Sequence, residues 1–310
     1  MPNFFKRILQ FKICKAEINY KKLNPRNWKR PSFKKIIRFL VILAIFLAAC
    51  ITLKDEYNYQ FGDYYSDDFN YVEEDYQICN VSGIELHGDI VTYTIPENED
   101  NNGYPLTDEA SSENIVTAIM EAEANDDIKA IILEIDSYGG YPVASYEINQ
   151  ALHKEITKPV IVMVRSAATS GAYLAAVGAD TIFASPYSDI GGIGVTMSYL
   201  DYAKQNMKEG LTYNSLTAGK YKDYGDPDKT LTDEEKALIM RDLNIIHEDI
   251  IKTIATDRDL DVNKVRALAD GSSMPGQMAK DNGLIDEIGG ITEVEKYLKD
   301  KMGEDVLVCW

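Results

Sequence analysis

Apolar positions along the chain alternate between unbroken runs and helical spacing. Residues 130–135, Ala-Ile-Ile-Leu-Glu-Ile, and 159–164, Pro-Val-Ile-Val-Met-Val, read as buried strands. Residues 81–87 and 90–95 read as two further strands around Gly88-Asp89. Ile115, Ile119 and Ala122 mark the inner face of a helix capped by Ser111 or Ser112. A second helix is predicted to about residue 156, and an Ala-rich one leaves the stretch 165–176. This alternation predicts an α/β fold of parallel strands covered by helices. Downstream, residues 181–184 and 191–197 read as short strands. Thr232 and Glu235 form a capping box opening a helix to about residue 256. A shorter helix covers 262–269, residues 276–290 form a closing segment, and residues 97–110 read as an acidic loop.

One apolar run differs from the others. Residues 36–53 are almost wholly apolar apart from Arg38, long enough to span a bilayer or to serve as an export signal. The charge changes sign across it. Residues 1–38 hold twelve Lys/Arg and one acid, and the remainder holds 20 basic and 49 acidic residues. The positive-inside rule then places residues 1–35 in the cytoplasm and the body outside, on a single transmembrane helix. Leu47-Ala-Ala-Cys50 also resembles a lipobox, so lipid anchoring through Cys50 is the second reading of the same segment. Residues 54–78, with eight acids, six Tyr and two Phe, read as a stalk, and the body occupies 79–310. So acidic a body excludes nucleic acid as a partner. Only Cys79 and Cys309 lie in the body and they could pair, and no Cys/His spacing suggests a metal.

Candidate chemistry centres on Ser170, placed where the strand ending near Val164 gives way to a helix. A serine there has its hydroxyl at a sheet edge beside unpaired N–H groups, although Ser also caps helices for purely structural reasons. Of the three histidines, His87 adjoins a turn and His153 and His247 fall inside helices, so none is placed as its base by sequence. A lysine whose ammonium is desolvated is the alternative, and Lys220 and Lys222 stand in the polar segment 217–225. Gly191, Gly192 and Gly194 lack the spacing of a nucleotide loop.

Four segments, in order and spacing, resemble the signal peptide peptidases of the SppA type: Asp136-Ser-Tyr-Gly-Gly140, Thr169-Ser-Gly-Ala-Tyr173, Gly191-Gly-Ile-Gly-Val195 and Gly219-Lys-Tyr-Lys-Asp223. Gly276-Gln-Met-Ala-Lys280 and Gly283-Leu-Ile-Asp286 look like that family's closing segment. The resemblance implies a ClpP/crotonase-like fold of repeated ββα units with a parallel sheet. It implies Ser170 as nucleophile, Lys222 as general base and an oxyanion hole from Gly139 or Gly140 with Gly171. It also implies peptide or unfolded-protein substrates, no cofactor and a ring-like homo-oligomer in which Ser and Lys could come from neighbouring subunits. Two residues depart from the family pattern: Tyr138 replaces a Pro, and Gly192 replaces a Ser that contacts the lysine, a role left to water, Thr196 or Ser188. The reading is thus a membrane-tethered serine endopeptidase acting on signal peptides or other membrane-derived peptides. The alternatives are an inactive peptide-binding scaffold and an acyl-coenzyme A enzyme, the latter disfavoured by the acidic body.

Overall fold

The computed structural model describes residues 79–94, 108–154 and 156–310, with residues 39, 40, 42 and 43, which are helical. The chain divides into units 1–75 and 76–310. Apart from those four residues, the expected span and the stalk lie outside the described residues, as does 95–107 of the acidic loop. Among the described residues no helix is long and apolar enough to cross a membrane.

The second unit is built on β1 (Val81–His87), β2 (Asp89–Val91), β3 (Glu109–Ser111), α1 (Ser112–Ala124), β4 (Ala130–Ser137) and α2 (Pro142–Lys154). Then come β5 (Val160–Thr169), α3 (Gly171–Ala176), β6 (Thr181–Ala184), β7 (Asp189–Gly191) and α4 (Ala203–Lys208). The rest is α5 (Asp233–Asp257), α6 (Val262–Leu268), β8 (Ser273–Pro275), α7 (Gly276–Asn282), β9 (Glu287–Ile288), α8 (Ile291–Met302) and β10 (Val308–Cys309). The main sheet runs β10-β1-β4-β5-β6-β9, and every pairing along that path is parallel.

Its strands are apolar without alternation because both faces are covered. Ile131, Leu133 and Ile135 of β4 join Ile119, Ile148 and Tyr173 in the larger core. Ala130 and Ile132 point the other way, with Ile161, Met163 and Phe183, onto Val294 and Leu298 of α8.

β5 is longer than the apolar run predicts, and this extra length positions the site. Residues 161–164 pair with β6, while Ala167–Thr169 pair with β7 instead. Against β4 the register shifts between Ile135 and Ser137, a bulge that turns Arg165 and Ser166 outward and lets the last residues of β5 leave the main sheet.

The helices start where their caps indicate. Ser111 accepts from Asn114 N, and Thr232 and Glu235 form the capping box. The sequence reading departs from the structure in several places. The strand expected over 90–95 is the shorter Asp89–Val91. Residues 192–197 form no strand, since β7 is the earlier segment Asp189–Gly191 and its edge is closed by antiparallel β8. Glu109 and Ala110, read as loop, form β3 with the cap residue Ser111, paired with β2. The last part of the body, to which the sequence reading assigned no elements, forms α8 and then β10 on the outer edge of β1. There Cys79 and Cys309 form a disulfide, their Cα atoms 5.7 Å apart.

Candidate active site

Ser170 stands between the end of β5 and α3 with φ +53° and ψ −123°. An L residue held there stores about 1–3 kcal/mol of backbone strain, which persists only where the surroundings enforce it. Here three contacts do so. The Ser170 N–H donates to the Gly191 carbonyl of β7 at 2.7 Å. One turn into α3, the fully buried Tyr173 donates its hydroxyl to the Leu284 carbonyl at 2.7 Å, and burial pushes its acidity far below that of free tyrosine. Behind α3, buried Asn149 donates to the Leu174 carbonyl (3.1 Å) and to Asp257 at the end of α5 (2.8 Å). Ser170 makes no capping hydrogen bond with its side chain. The serine is therefore presented rather than spent on the helix.

The turn after β4 crosses directly beside it. Ser137 is buried, donates to the Gly88 carbonyl (2.6 Å) and accepts from Gly139 N (3.1 Å). Gly139 has φ +113°, and a Cβ there would lie 2.9 Å from the Gly171 nitrogen and 3.0 Å from the Ser170 Cβ. At Gly140 a Cβ would collide with the Ile90 carbonyl at 2.1 Å. Both glycines are thus required by close approach and not by turn propensity alone. The Gly140 nitrogen is 3.2 Å from where a Gly171 Cβ would stand, and neither the Gly140 nor the Gly171 N–H has a backbone acceptor among the described residues. Two donors converging beside a serine hydroxyl is the arrangement that holds an oxyanion. The structure thus brings together Ser170, Gly139, Gly140 and Gly171.

A cavity of about 520 Å³ opens at Ser170, and Tyr138, Gly192 and Thr196 line it as well. Gly192 has φ +55° and presents no hydroxyl. Of the groups that could stand in, Ser188 is committed elsewhere, donating to the Arg165 carbonyl and accepting from Ser185 N, while Thr196 is exposed at the cavity wall.

Lys222 is not among the residues lining this cavity within one chain. It is exposed, in a turn where its N–H donates to the Gly219 carbonyl. Its neighbours are tied to the start of α5. Lys220 Nζ sits 2.6 and 2.7 Å from the Glu234 carboxylate oxygens, which holds it protonated, and Tyr221 also donates to Glu234. Lys229 bridges Asp223 (3.1 Å) and Glu235 (2.7 Å). Lys222 makes no ion pair or side-chain hydrogen bond among the described residues.

His247 is the residue that the sequence reading missed. It lines the Ser170 cavity from α5, and its Nε2 is buried without a hydrogen-bond partner among the described residues. The signal was present: His247 falls one turn from both Leu243 and buried Ile251, on the inward stripe that continues to Ile254.

Elsewhere, Glu85, His87 and Glu134 bring three donor atoms within 4.8 Å of one another. There Glu134 already accepts from Arg165 at 3.0 Å and lies 3.0 Å from His87 Nε2, so the protein itself fills that donor set.

A strained serine beside paired glycine N–H groups, on a mostly parallel α/β sheet, defines the ClpP-like class of serine-peptidase scaffolds. Residues 103–190 match the Clp protease family model, and residues 153–304 match that of peptidase family S49. The S49 match and the relatives that follow support placing the body with the SppA-type signal peptide peptidases. A protein of Methanocaldococcus jannaschii named as a protease is 34% identical over 185 residues, 59% of this chain and 60% of that protein. One of Enterococcus faecium, named as a signal peptide peptidase SppA, is 32% identical over 57% of this chain and 52% of its own length. The chloroplastic serine protease SPPA of Arabidopsis thaliana is 30% identical over 61% of this chain and 28% of that protein. The chain thus spans less than two thirds of the length of these relatives. Among solved structures, a ClpP1 variant from Listeria monocytogenes superposes with a TM-score of 0.44 at 16% identity, covering 68% of this chain and 92% of that one.

Proposed function

We propose that this protein is a serine endopeptidase in which Ser170 attacks the peptide carbonyl and Lys222 of a neighbouring copy serves as general base. The observation that carries the reading is the strained, uncapped Ser170 next to the unpaired N–H groups of Gly140 and Gly171. In this reading Lys222 takes the serine proton, the oxyanion forms against the two glycines, and the proton passes to the leaving amine. A lysine serves as base only when desolvated. Within one chain Lys222 is exposed, so its burial has to come from another copy. The segment bearing it fits such a contact: none of residues 195–230 is buried, and Leu200, Met207 and Leu216 are 69%, 70% and 97% exposed. A ring of copies covering these side chains would set each Lys222 against a neighbour's Ser170. Lys220 is the weaker candidate because Glu234 keeps it charged.

The apolar run at 36–53 and the charge reversal across it support tethering to the cytoplasmic membrane with the body outside, and a disulfide is suited to that compartment. Signal peptides released in the same membrane, or other membrane-derived peptides, are the substrates this placement favours. The second reading is an inactive peptide-binding scaffold, favoured by the missing hydroxyl at Gly192.

The test uses full-length protein and unfolded casein. Wild type should cleave, while Ser170→Ala and Lys222→Ala should each lose on the order of 10³-fold. Mixing the two inactive variants and allowing subunits to exchange should restore part of the activity. Failure of that mixture to cleave would confine the dyad to one chain, and an inert wild type would leave the scaffold reading.

A further inference from the structure

Among the described residues, one buried side-chain nitrogen or oxygen has no hydrogen-bond partner, and it is His247 Nε2. A buried polar atom left unpaired costs stability, so a group arriving from outside the chain is its natural partner. The imidazole lines the Ser170 cavity together with Gly192 and Thr196. α5 holds it in place from both ends. Buried Ile251 and Ile254 anchor the following turns, and Asp257 accepts from Asn149, which also donates to the Leu174 carbonyl of the helix after Ser170. At the start of α5, Glu234 and Glu235 bind Lys220, Tyr221 and Lys229, the residues around Lys222. No carboxylate orients the imidazole, as a histidine acting as base requires, since adjacent Glu248 pairs with Arg266.

We propose that His247 is a positioning residue for the general base: its imidazole accepts a hydrogen bond from Lys222 Nζ of the neighbouring copy. The inference rests on the Ser170/Lys222 reading and deepens it, because a lysine acting on Ser170 has to enter this cavity and be held there. A neutral imidazole presents one lone pair whichever nitrogen carries the proton. Such a neutral acceptor suits a lysine that must lose its proton to work. A carboxylate in its place would keep the ammonium charged, as Glu234 does for Lys220. That argues against Asp189 and Asp270, which stand in the same wall. Among the neutral groups there, Thr169 already donates to the Tyr138 carbonyl at 3.1 Å. Tyr138, Thr196 and Ser273 are exposed, so water satisfies their hydroxyls. His247 alone combines burial, a place in the wall and an empty bonding position. Gly192, which has no hydroxyl to offer, leaves that role open.

The experiment follows the labelling rate of the full-length protein by a fluorophosphonate, in which the Ser170 oxygen displaces fluoride and its proton passes to the base. Ser170→Ala supplies the blank, and each variant is checked for native melting and assembly size. His247→Leu should label about tenfold more slowly than wild type. His247→Gln, which keeps a neutral acceptor, should recover most of that loss. Lys222→Ala should be slow by itself, and adding His247→Leu should slow it no further, because no amine is left to hold. Wild-type labelling by His247→Leu, or an equal loss in the Leu and Gln variants, would overturn the positioning role. So would a further loss on adding His247→Leu to Lys222→Ala, because the imidazole would then act on Ser170 directly. The parent reading is tested separately by Lys222→Ala alone. Labelling of that variant at the wild-type rate removes the lysine and with it the role of His247. A slow Lys222→Ala beside an unaffected His247→Leu removes this inference and keeps the dyad.

Discussion

The Gly191 carbonyl receives the Ser170 N–H at 2.7 Å, so the last residue of β7 fixes the backbone of the proposed nucleophile. β7 is itself held from both sides, by β5 in parallel and β8 antiparallel. The strain at Ser170 is therefore sustained by sheet pairing on one side and by the glycine turn after β4 on the other.

That packing makes Gly139→Ala a sharp probe. A methyl group there would press within 3.0 Å of both Gly171 N and Ser170 Cβ from a backbone at φ +113°. Turnover of a fluorogenic peptide should fall by about 10²–10³-fold as the oxyanion donors are displaced, with KM changing far less than kcat. A variant with unchanged kcat would remove these N–H groups from the chemistry.

Restoring the family's hydroxyl at Gly192 should fail. With φ +55° and a Cβ placed 3.1 Å from Thr169 Cβ, Gly192→Ser introduces strain beside the site, and the cost should be about 1 kcal/mol or more. We expect a lower melting temperature and no gain in kcat. A faster variant of undiminished stability would mean that this loop relaxes to accept a side chain.

Acid should loosen the segment that bears Lys222 before it loosens the sheet. Asp223 is held below the usual carboxylate range by the Ser215 hydroxyl and then by Lys229, Glu234 by Lys220 and Tyr221, and Glu235 by Lys229. For carboxyls depressed in the folded state, the stabilisation is complete above their ordinary pKa of about 4 and is lost as pH falls through the folded value. Relative to the intrinsic amide rate at each pH, protection across residues 215–235 should fall as pH drops from about 5 to about 3, while β4 and β5 stay protected. Unchanged exchange would mean that these pairs do not hold the segment.

The disulfide should matter for stability. It closes a loop spanning a sequence separation of 230 and pins the two-residue β10 to β1. Cys79→Ser, or reduction, should lower stability by about 2–5 kcal/mol, visible as a drop in melting temperature that reductant does not deepen in the variant. An unaffected melt would make β10 a passive edge.

Much of the fold was legible because its strands are unbroken apolar runs and its helices carry strong caps. β1 was bounded correctly from its sequence, and Thr232 with Glu235 marked α5. Residues 192–197 misled because Ile193 and Val195 alternate with small residues as a strand would, while the tertiary packing against Ser272 and Gly271 left them no ladder partner. The glycines around Ser170 were recognisable as motifs, yet only the folded chain explains them, through atoms of Ile90 and Gly171 brought in from distant positions. His247 went unassigned because helical periodicity tells which face is inward and not what that face meets. Lys222 shows the opposite limit: its motif was clear, and one chain alone gives it no serine.

The Cys79–Cys309 link has a topological consequence. While oxidised, the body is a closed loop of chain, so a machine that unfolds proteins by drawing a single strand through a narrow pore would meet doubled chain at the crosslink. Linear threading stalls there until the bond is reduced. A chain closed this way has the means to outlast open, extended chains around it, since they carry no such closure.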